Sequence, residues 1–332
     1  MKIGVVAYEM EGAATGVGRY LEGLLQGITE LAAAPPEEAA GPAELARTAE
    51  WLFFFKGDPF PHPLFARQPG ARPNVQPIFD GRPDARPILW EQLRLPSLLR
   101  RHALDLLFSP AYGLPPGVAC PTVVTVHDLS FERLPEEFSW KERWRRRGLA
   151  RRAARNASRV LAVSRAMADE IAATYRVDAD RLGVVPHGVD PKFRADAPRA
   201  VDLAALAPLA IRPPYLLYVG SILPRRCLDL VIGAFAAVAP EHPELRLVIA
   251  GDNRLRRPQQ LGEWIAASGC EGRISLLGYV PEALLPALYR RAEASFYLST
   301  YEGYGLPPLE SLAAATPAIV APGLALDELW PD

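Results

Sequence analysis

Short apolar runs alternate with helix-period segments along nearly the whole chain, and this alternation restricts the fold more than any other feature. In the first half the apolar runs are KIGVVAY, WLFFF (51–55), LDLLFS (104–109), TVVTVHD (122–128), RVLAVS (159–164) and LGVVP (182–186). Helical patterns fall at 17–32, 90–102, 141–155 and 165–176. A second series, PYLLYVG, LRLVIAG, RISLLG, ASFYLS and PAIVA, is interleaved with helical patterns at 228–239, 259–268, 282–291 and 307–315. Such runs are apolar throughout because helices cover both faces of a parallel sheet. A chain of 332 residues exceeds one such sheet, so the reading is α/β with two doubly wound, Rossmann-like domains. The stretch RADAPRAVDLAALAPLAIRPP, after HGVDPKF (187–193), is the best linker, giving domains 1–197 and 198–332. The proline-rich stretch from Ala33 to Pro87 predicts loops around the WLFFF strand, with a mobile AAAPPEEAAGPAE portion. Ligands of doubly wound sheets sit beyond the carboxyl ends of the strands, so an interdomain cleft is the expected site.

Composition narrows the partners. A formal charge of −1 gives no global attraction to nucleic acid or anionic lipid. Cys120, Cys227 and Cys270 are widely spaced with no CxxC, which argues against a disulfide framework or a zinc site and suits a reducing compartment. MKIGVVAY is too short for a secretory apolar region and predicts a first buried strand. No apolar run reaches the roughly 18 residues that span a bilayer. The expected location is therefore the cytoplasm.

Four stretches carry candidate chemistry. TGVGRY (15–20) puts Gly16 and Gly18 just after the first strand, where bare amides at a helix N-terminus can receive a phosphate or a sugar oxygen. The third glycine falls at Gly23, which spoils a nicotinamide fingerprint, and alone the motif reads better as an ordinary strand-to-helix turn. VTVHDLSFERLP (124–135) ends a strand with His127 and Asp128; a neutral imidazole there can meet a sugar hydroxyl, or the pair can simply close the strand. YVGSILPRRCLDLVIGAF (218–235) sets Arg225 and Arg226 after a strand ending at Gly220, followed by Ser221. Two guanidiniums suit a diphosphate, with a solvated loop pair as the alternative. TYEGYGLPPLESLAAATP (300–317) places Glu302 and Glu310 around Gly303, Gly305, Pro307 and Pro308. Glycines let backbone approach a ligand, prolines suit a first helical turn, and ionised carboxylates accept from diols. Glu310 alone would pass for a helix-start acid, which leaves the rest of the string unexplained.

WKERWRRRGLARRAARNAS (140–158) is dense in arginine, and Glu142 is the single acid of its helix. A solvated face is one reading. Contact of 141–155 with an anionic membrane, at the inner face of the cytoplasmic membrane, is the other.

Taken together, these residues resemble glycosyltransferase family 4, the retaining GT-B enzymes that use nucleotide sugars. EGYGLPPLE resembles that family's E-x7-E motif, and TGVGRYLEGLL its N-terminal glycine loop. CPTVVTVHDLSFERLPEEFS, VLAVSRAMADEI, RLGVVPHGVDPKF and YVGSILPRRCLDLVI follow in the family's order, and bacterial mannosyltransferase-like enzymes of surface polysaccharide assembly are the most similar subgroup. The resemblance implies two Rossmann-like domains facing across a cleft, an acceptor-side domain followed by a donor domain. It implies that Glu310 accepts from ribose hydroxyls, that Glu302 contacts the transferred sugar, and that Gly303, Tyr304, Gly305 and Leu306 meet sugar and diphosphate. Arg225 and Arg226 would neutralise the leaving group, with Gly220 and Ser221 in the same loop and Gly16 and Gly18 approaching from the other domain. His127 would lie near the reacting carbon. The implied reaction moves a hexose, mannose favoured, from a GDP- or UDP-linked donor to a glycan or lipid-linked acceptor, with retention and with no metal or other cofactor.

The sequence departs from the family at three places. Arg226 stands where a lysine is usual, and Cys227 where Asn or Gly is common. The chain also stops at Asp332, shortly after Val320, where family members continue through further helices. That predicts a fragment or a shortened member, and leaves a catalytically weak or inactive nucleotide-sugar binding protein as the alternative reading.

Overall fold

Parallel pairing organises two separate sheets in the computed structural model, which describes residues 1–12, 16–33, 41–62, 65, 74–194, 198–323 and 325–329. The first sheet contains β1 (Lys2–Val6), β2 (Glu50–Phe55), β3 (Asn74–Phe79), β4 (Leu106–Ser109), β5 (Thr122–Val126), β6 (Arg159–Ala162) and β7 (Leu182–Val184). The second contains β8 (Tyr215–Val219), β9 (Arg246–Ala250), β10 (Ile274–Gly278), β11 (Ala294–Tyr297) and β12 (Ala318–Val320). Their orders are β3-β2-β1-β4-β5-β6-β7 and β10-β9-β8-β11-β12. Both reverse direction once, beside β1 in one sheet and beside β8 in the other, and such a reversal opens a crevice at the carboxyl ends of the strands.

The period of two along each strand sends alternate side chains to opposite helix layers. Phe53 and Phe55 join Val5 and the helix residues Leu21, Leu25 and Ile28 on one face. Leu52 and Phe54 join Val6, Trp90, Leu95 and Leu99 on the other. The second sheet divides likewise: Tyr215, Leu217 and Val219 pack with Leu288 and Tyr289, while Tyr218, Leu247 and Ile249 pack with Val231, Ile232 and Phe235.

The chain forms two compact units, Met1–Arg133 with Phe138–Pro186, and Leu134–Glu137 with His187–Asp332. The longer segment of the second unit begins at His187, and Phe193 is buried in its core. The described residues of the expected linker include helical structure. Helix Arg199–Leu206 buries Leu206, and Asp202, only 1% exposed, accepts from the Arg290 guanidinium at 2.7 Å. The stretch between Ala33 and Pro87 also differs from its loop-rich reading. It contains helix Pro42–Thr48 and the edge strand β3, whose Pro77 is tolerated because only β2 pairs with it. The AAAPPEEAAGPAE portion falls largely on residues outside those described. Among the described residues no helix is long and apolar enough to cross a membrane.

Candidate functional site

In the second unit the loops leaving β8 and β11 lie side by side at the reversal point, because β8 and β11 are neighbours in the sheet. Thr300 N donates to Arg225 O at 2.8 Å, which fastens one loop to the other. Gly220 directly follows β8 with φ +132, and a Cβ built on it would lie 2.5 Å from Arg226 Nη1. Glycine is needed for the backbone angle, and it leaves the space in which the guanidinium lies. Arg226 donates through Nε to Glu302 Oε1 at 2.8 Å and through Nη1 to Ser221 O at 3.3 Å, and its guanidinium sits 5.5 Å from the Tyr297 ring centroid. Ser299 Oγ adds a 3.1 Å donation to Glu302 Oε1. Burial would push the Glu302 carboxyl up, but Arg226 outweighs it and holds the group below the ordinary glutamate value.

Arg225 has a partner that the sequence reading missed. Glu137 accepts from Arg225 N at 2.9 Å and from its Nη1 at 2.5 Å. Glu137 lies in the short segment Leu134–Glu137, which packs with the second unit. No spacing rule links positions 88 residues apart. Arg225 Nε is buried and has no hydrogen-bond partner among the described residues.

The Glu302–Glu310 string then turns into helix Leu306–Ala313, with Gly305 at its N-cap (φ +108) and prolines in its first turn. Tyr304 donates to His187 O at 2.7 Å, which ties the string to the HGVDPKF loop, and Gly303 is buried beside it in sequence. Leu306 is half-buried. Glu310 is 1% exposed and accepts from Tyr289 Oη at 3.2 Å. Glu302, expected against a sugar, is here engaged by Arg226 and Ser299.

In the first unit helix Gly16–Ala33 starts at Gly16, which is exposed, while Gly18 is buried; Thr15 lies outside the described residues. Tyr20 of that helix meets His127 edge-on at 5.2 Å between ring centroids, bringing the glycine turn and the β5 histidine together. His127 Nε2 lies 2.6 Å from Pro110 O, and a carbonyl can only accept, so Nε2 carries the proton. Burial lowers the His127 pKa, which keeps the ring neutral at pH 7.

Glu91 was not singled out by its sequence context. It is 4% exposed, sits in a π-helical turn (Trp90–Arg94), and accepts from Tyr8 Oη at 3.1 Å and Gln92 Nε2 at 2.9 Å. Burial pushes its carboxyl up to about 7.

Two family models match. One, "Glycosyltransferase Family 4", covers residues 51–193, and the other, "Glycosyl transferases group 1", covers residues 207–329. A D-inositol 3-phosphate glycosyltransferase of Nocardia farcinica is 33% identical over 170 residues, 50% of this chain and 38% of the relative. The O-antigen chain mannosyltransferase B of Escherichia coli is 28% identical over 212 residues, 63% of this chain and 55% of the relative. The matched stretches thus span about half or less of these relatives' own lengths. Among solved structures, WaaG, a glycosyltransferase involved in lipopolysaccharide biosynthesis, superposes with a TM-score of 0.66 at 15% identity, covering 96% of this chain and 80% of that one. Anabaena HepE in complex with UDP-glucose gives 0.67 at 18%, covering 100% and 83%. With the two family models running between them from residue 51 to residue 329, and with two Rossmann-like parallel sheets of the GT-B type, the chain belongs to glycosyltransferase family 4.

Proposed function

We propose that the chain is a retaining glycosyltransferase that moves a hexose, with mannose favoured, from a nucleotide diphosphate sugar to a glycan or lipid-linked acceptor in surface polysaccharide synthesis. The observation that carries this reading is the arginine pair at the strand-order reversal. Arg226 is clamped by Glu302 over Gly220, and Arg225 holds a buried Nε–H with no hydrogen-bond partner among the described residues. The mannose preference leans on the similarity to the Escherichia coli O-antigen enzyme.

In this reading Arg225 and Arg226 stabilise charge on the departing diphosphate, so no divalent metal is assigned to that task. The bond from the anomeric carbon to the phosphate oxygen breaks with its electron pair going to that oxygen. The acceptor oxygen attacks from the same face through an oxocarbenium-like transition state, and its proton passes to the departing phosphate. Glu302 orients Arg226 and faces the sugar, Glu310 accepts from the ribose diol, and Gly303 to Leu306 line the path between. Neutral His127 offers its imidazole to the sugar, and the Gly16–Gly18 amides serve the diphosphate.

Thermal unfolding with GDP, UDP, GDP-mannose and UDP-glucose tests the donor assignment. A ligand at a hundred times its dissociation constant adds about 2.7 kcal/mol. No stabilisation by any of the four in a folded chain overturns it. Binding without turnover, across a panel of glycan and lipid-linked acceptors read by mass shift, would instead support a nucleotide-sugar binding protein.

A further inference from the structure

We infer that the first unit carries a docking surface for anionic lipid bilayers, built from helix Trp140–Asn156 and the helical stretch Pro87–Arg100. The inference rests on exposure and charge and stands independently of the donor reading. Leu93, Trp140 and Trp144 are 71%, 75% and 78% exposed, and no other large apolar side chain among those described exceeds 60%. Leu89 lies one turn before Leu93 and is 51% exposed. The two helical stretches are fastened together: Arg152 Nη1 donates to Gln92 Oε1 at 3.0 Å, and both side chains donate to Leu114 O.

The structure also sorts the arginines. Arg143 donates to Phe131 O, Arg146 pairs with Glu142 and Tyr112, Arg147 pairs with Glu132, and Arg152 is held as above. These side chains are half-buried and engaged by neighbouring groups of the same unit. Lys141, Arg145, Arg151 and Arg155 are exposed instead. Helical spacing puts Trp140, Trp144, Gly148, Arg151 and Arg155 along one stripe, with Lys141 and Arg145 beside it. The helix's single acid, Glu142, is already paired with Arg146.

An indole needs an environment that takes its apolar ring and its N–H together, and the headgroup boundary of a bilayer supplies both. The surrounding cations match the negative potential of anionic phospholipid. The tryptophans thus act as interfacial anchors and the cations as the charge-selective part of the surface.

The test is co-sedimentation of the full chain with phosphatidylcholine vesicles, with and without phosphatidylglycerol, alongside tryptophan fluorescence. Binding to the anionic vesicles is expected to be about tenfold stronger, to weaken with added salt, and to bring a blue shift of emission. Trp140→Ser with Trp144→Ser removes the blue shift and most of the binding, and Lys141→Glu with Arg145→Glu removes the lipid selectivity. All four side chains are exposed, so unchanged thermal midpoints certify the fold of these variants. Equal binding to neutral and anionic vesicles, no binding at all, or undiminished binding by the double tryptophan variant overturns the inference.

Discussion

Arg226 and Glu302 form a largely buried ion pair, side chains 16% and 11% exposed, with Nε 2.8 Å from Oε1, at the point where the second sheet reverses its strand order. Breaking such a pair by removing one partner typically costs about 3–5 kcal/mol, since the survivor stays desolvated and unpaired. The Glu302 carboxyl titrates below its unfolded value of 4.5, so its contribution is fully present above pH 4.5 and is lost as pH falls through the folded value. Glu302→Gln is expected to flatten the acid limb of the stability profile below pH 4.5 and to lower stability at pH 7. Chemical denaturation across pH checks both, and an unchanged acid limb would refute the role of the pair.

Gly220 is where the arginine meets the backbone. Gly220→Ala places a methyl group against Arg226 Nη1 at a φ of +132. The guanidinium is the movable partner and shifts, while an alanine at that backbone angle is strained, so stability falls together with the displacement of Arg226. We expect nucleotide-sugar affinity to fall by about tenfold, or about 1.4 kcal/mol. Calorimetric titration of the variant against the parent measures it.

Cys227 sits in the left-handed region, φ +46 and ψ +45, as the residue that opens helix Leu228–Val238. A side chain with a Cβ costs roughly 1–2 kcal/mol in that conformation, whereas Gly and Asn adopt it readily. Cys227→Gly and Cys227→Asn should therefore each raise stability by about 1 kcal/mol, read as a higher urea midpoint at unchanged slope. A fall in midpoint for both would contradict the strain.

Glu91 makes the opposite pH prediction from Glu302. Burial raises its carboxyl most; Tyr8 and Gln92 donate to it and lower it, nearby Glu9 raises it, and Arg152 lowers it. A carboxyl at about 7 folded against 4.5 unfolded stays protonated in the native chain where the unfolded chain has ionised. Stability therefore declines as pH rises from 4.5 to 7, by on the order of 3 kcal/mol, and levels off above. Glu91→Gln should remove that slope. Parallel denaturation series at pH 5 and pH 8 decide the matter.

How far the sequence reaches differs from residue to residue. Phe53 and Phe55, or Leu217 and Val219, announce buried strands because burial on both faces leaves only apolar choices, a local rule that needs no partner. The E-x7-E string and the paired arginines are likewise legible, since glycine and proline at fixed offsets record backbone demands. Strand β3 was hidden because Pro77 signals a break, and only pairing at a sheet edge makes it tolerable. Helix Arg199–Leu206 was hidden by its linker-like composition until Arg290 satisfied Asp202.

By itself, then, the sequence determined the alternating strand–helix order, the two sheets and the loops that hold the candidate donor residues, because periodicity and turn chemistry are written locally. Tertiary structure decided the partners. Glu302 lies 76 residues from Arg226 and Glu137 lies 88 from Arg225, and these pairs exist because the fold brings distant loops together beyond the carboxyl ends of β8 and β11. It likewise decided which arginines of helix Trp140–Asn156 are engaged by neighbouring groups and which face outward. Ion pairing and burial depend on three-dimensional neighbours, and residue order alone does not specify them.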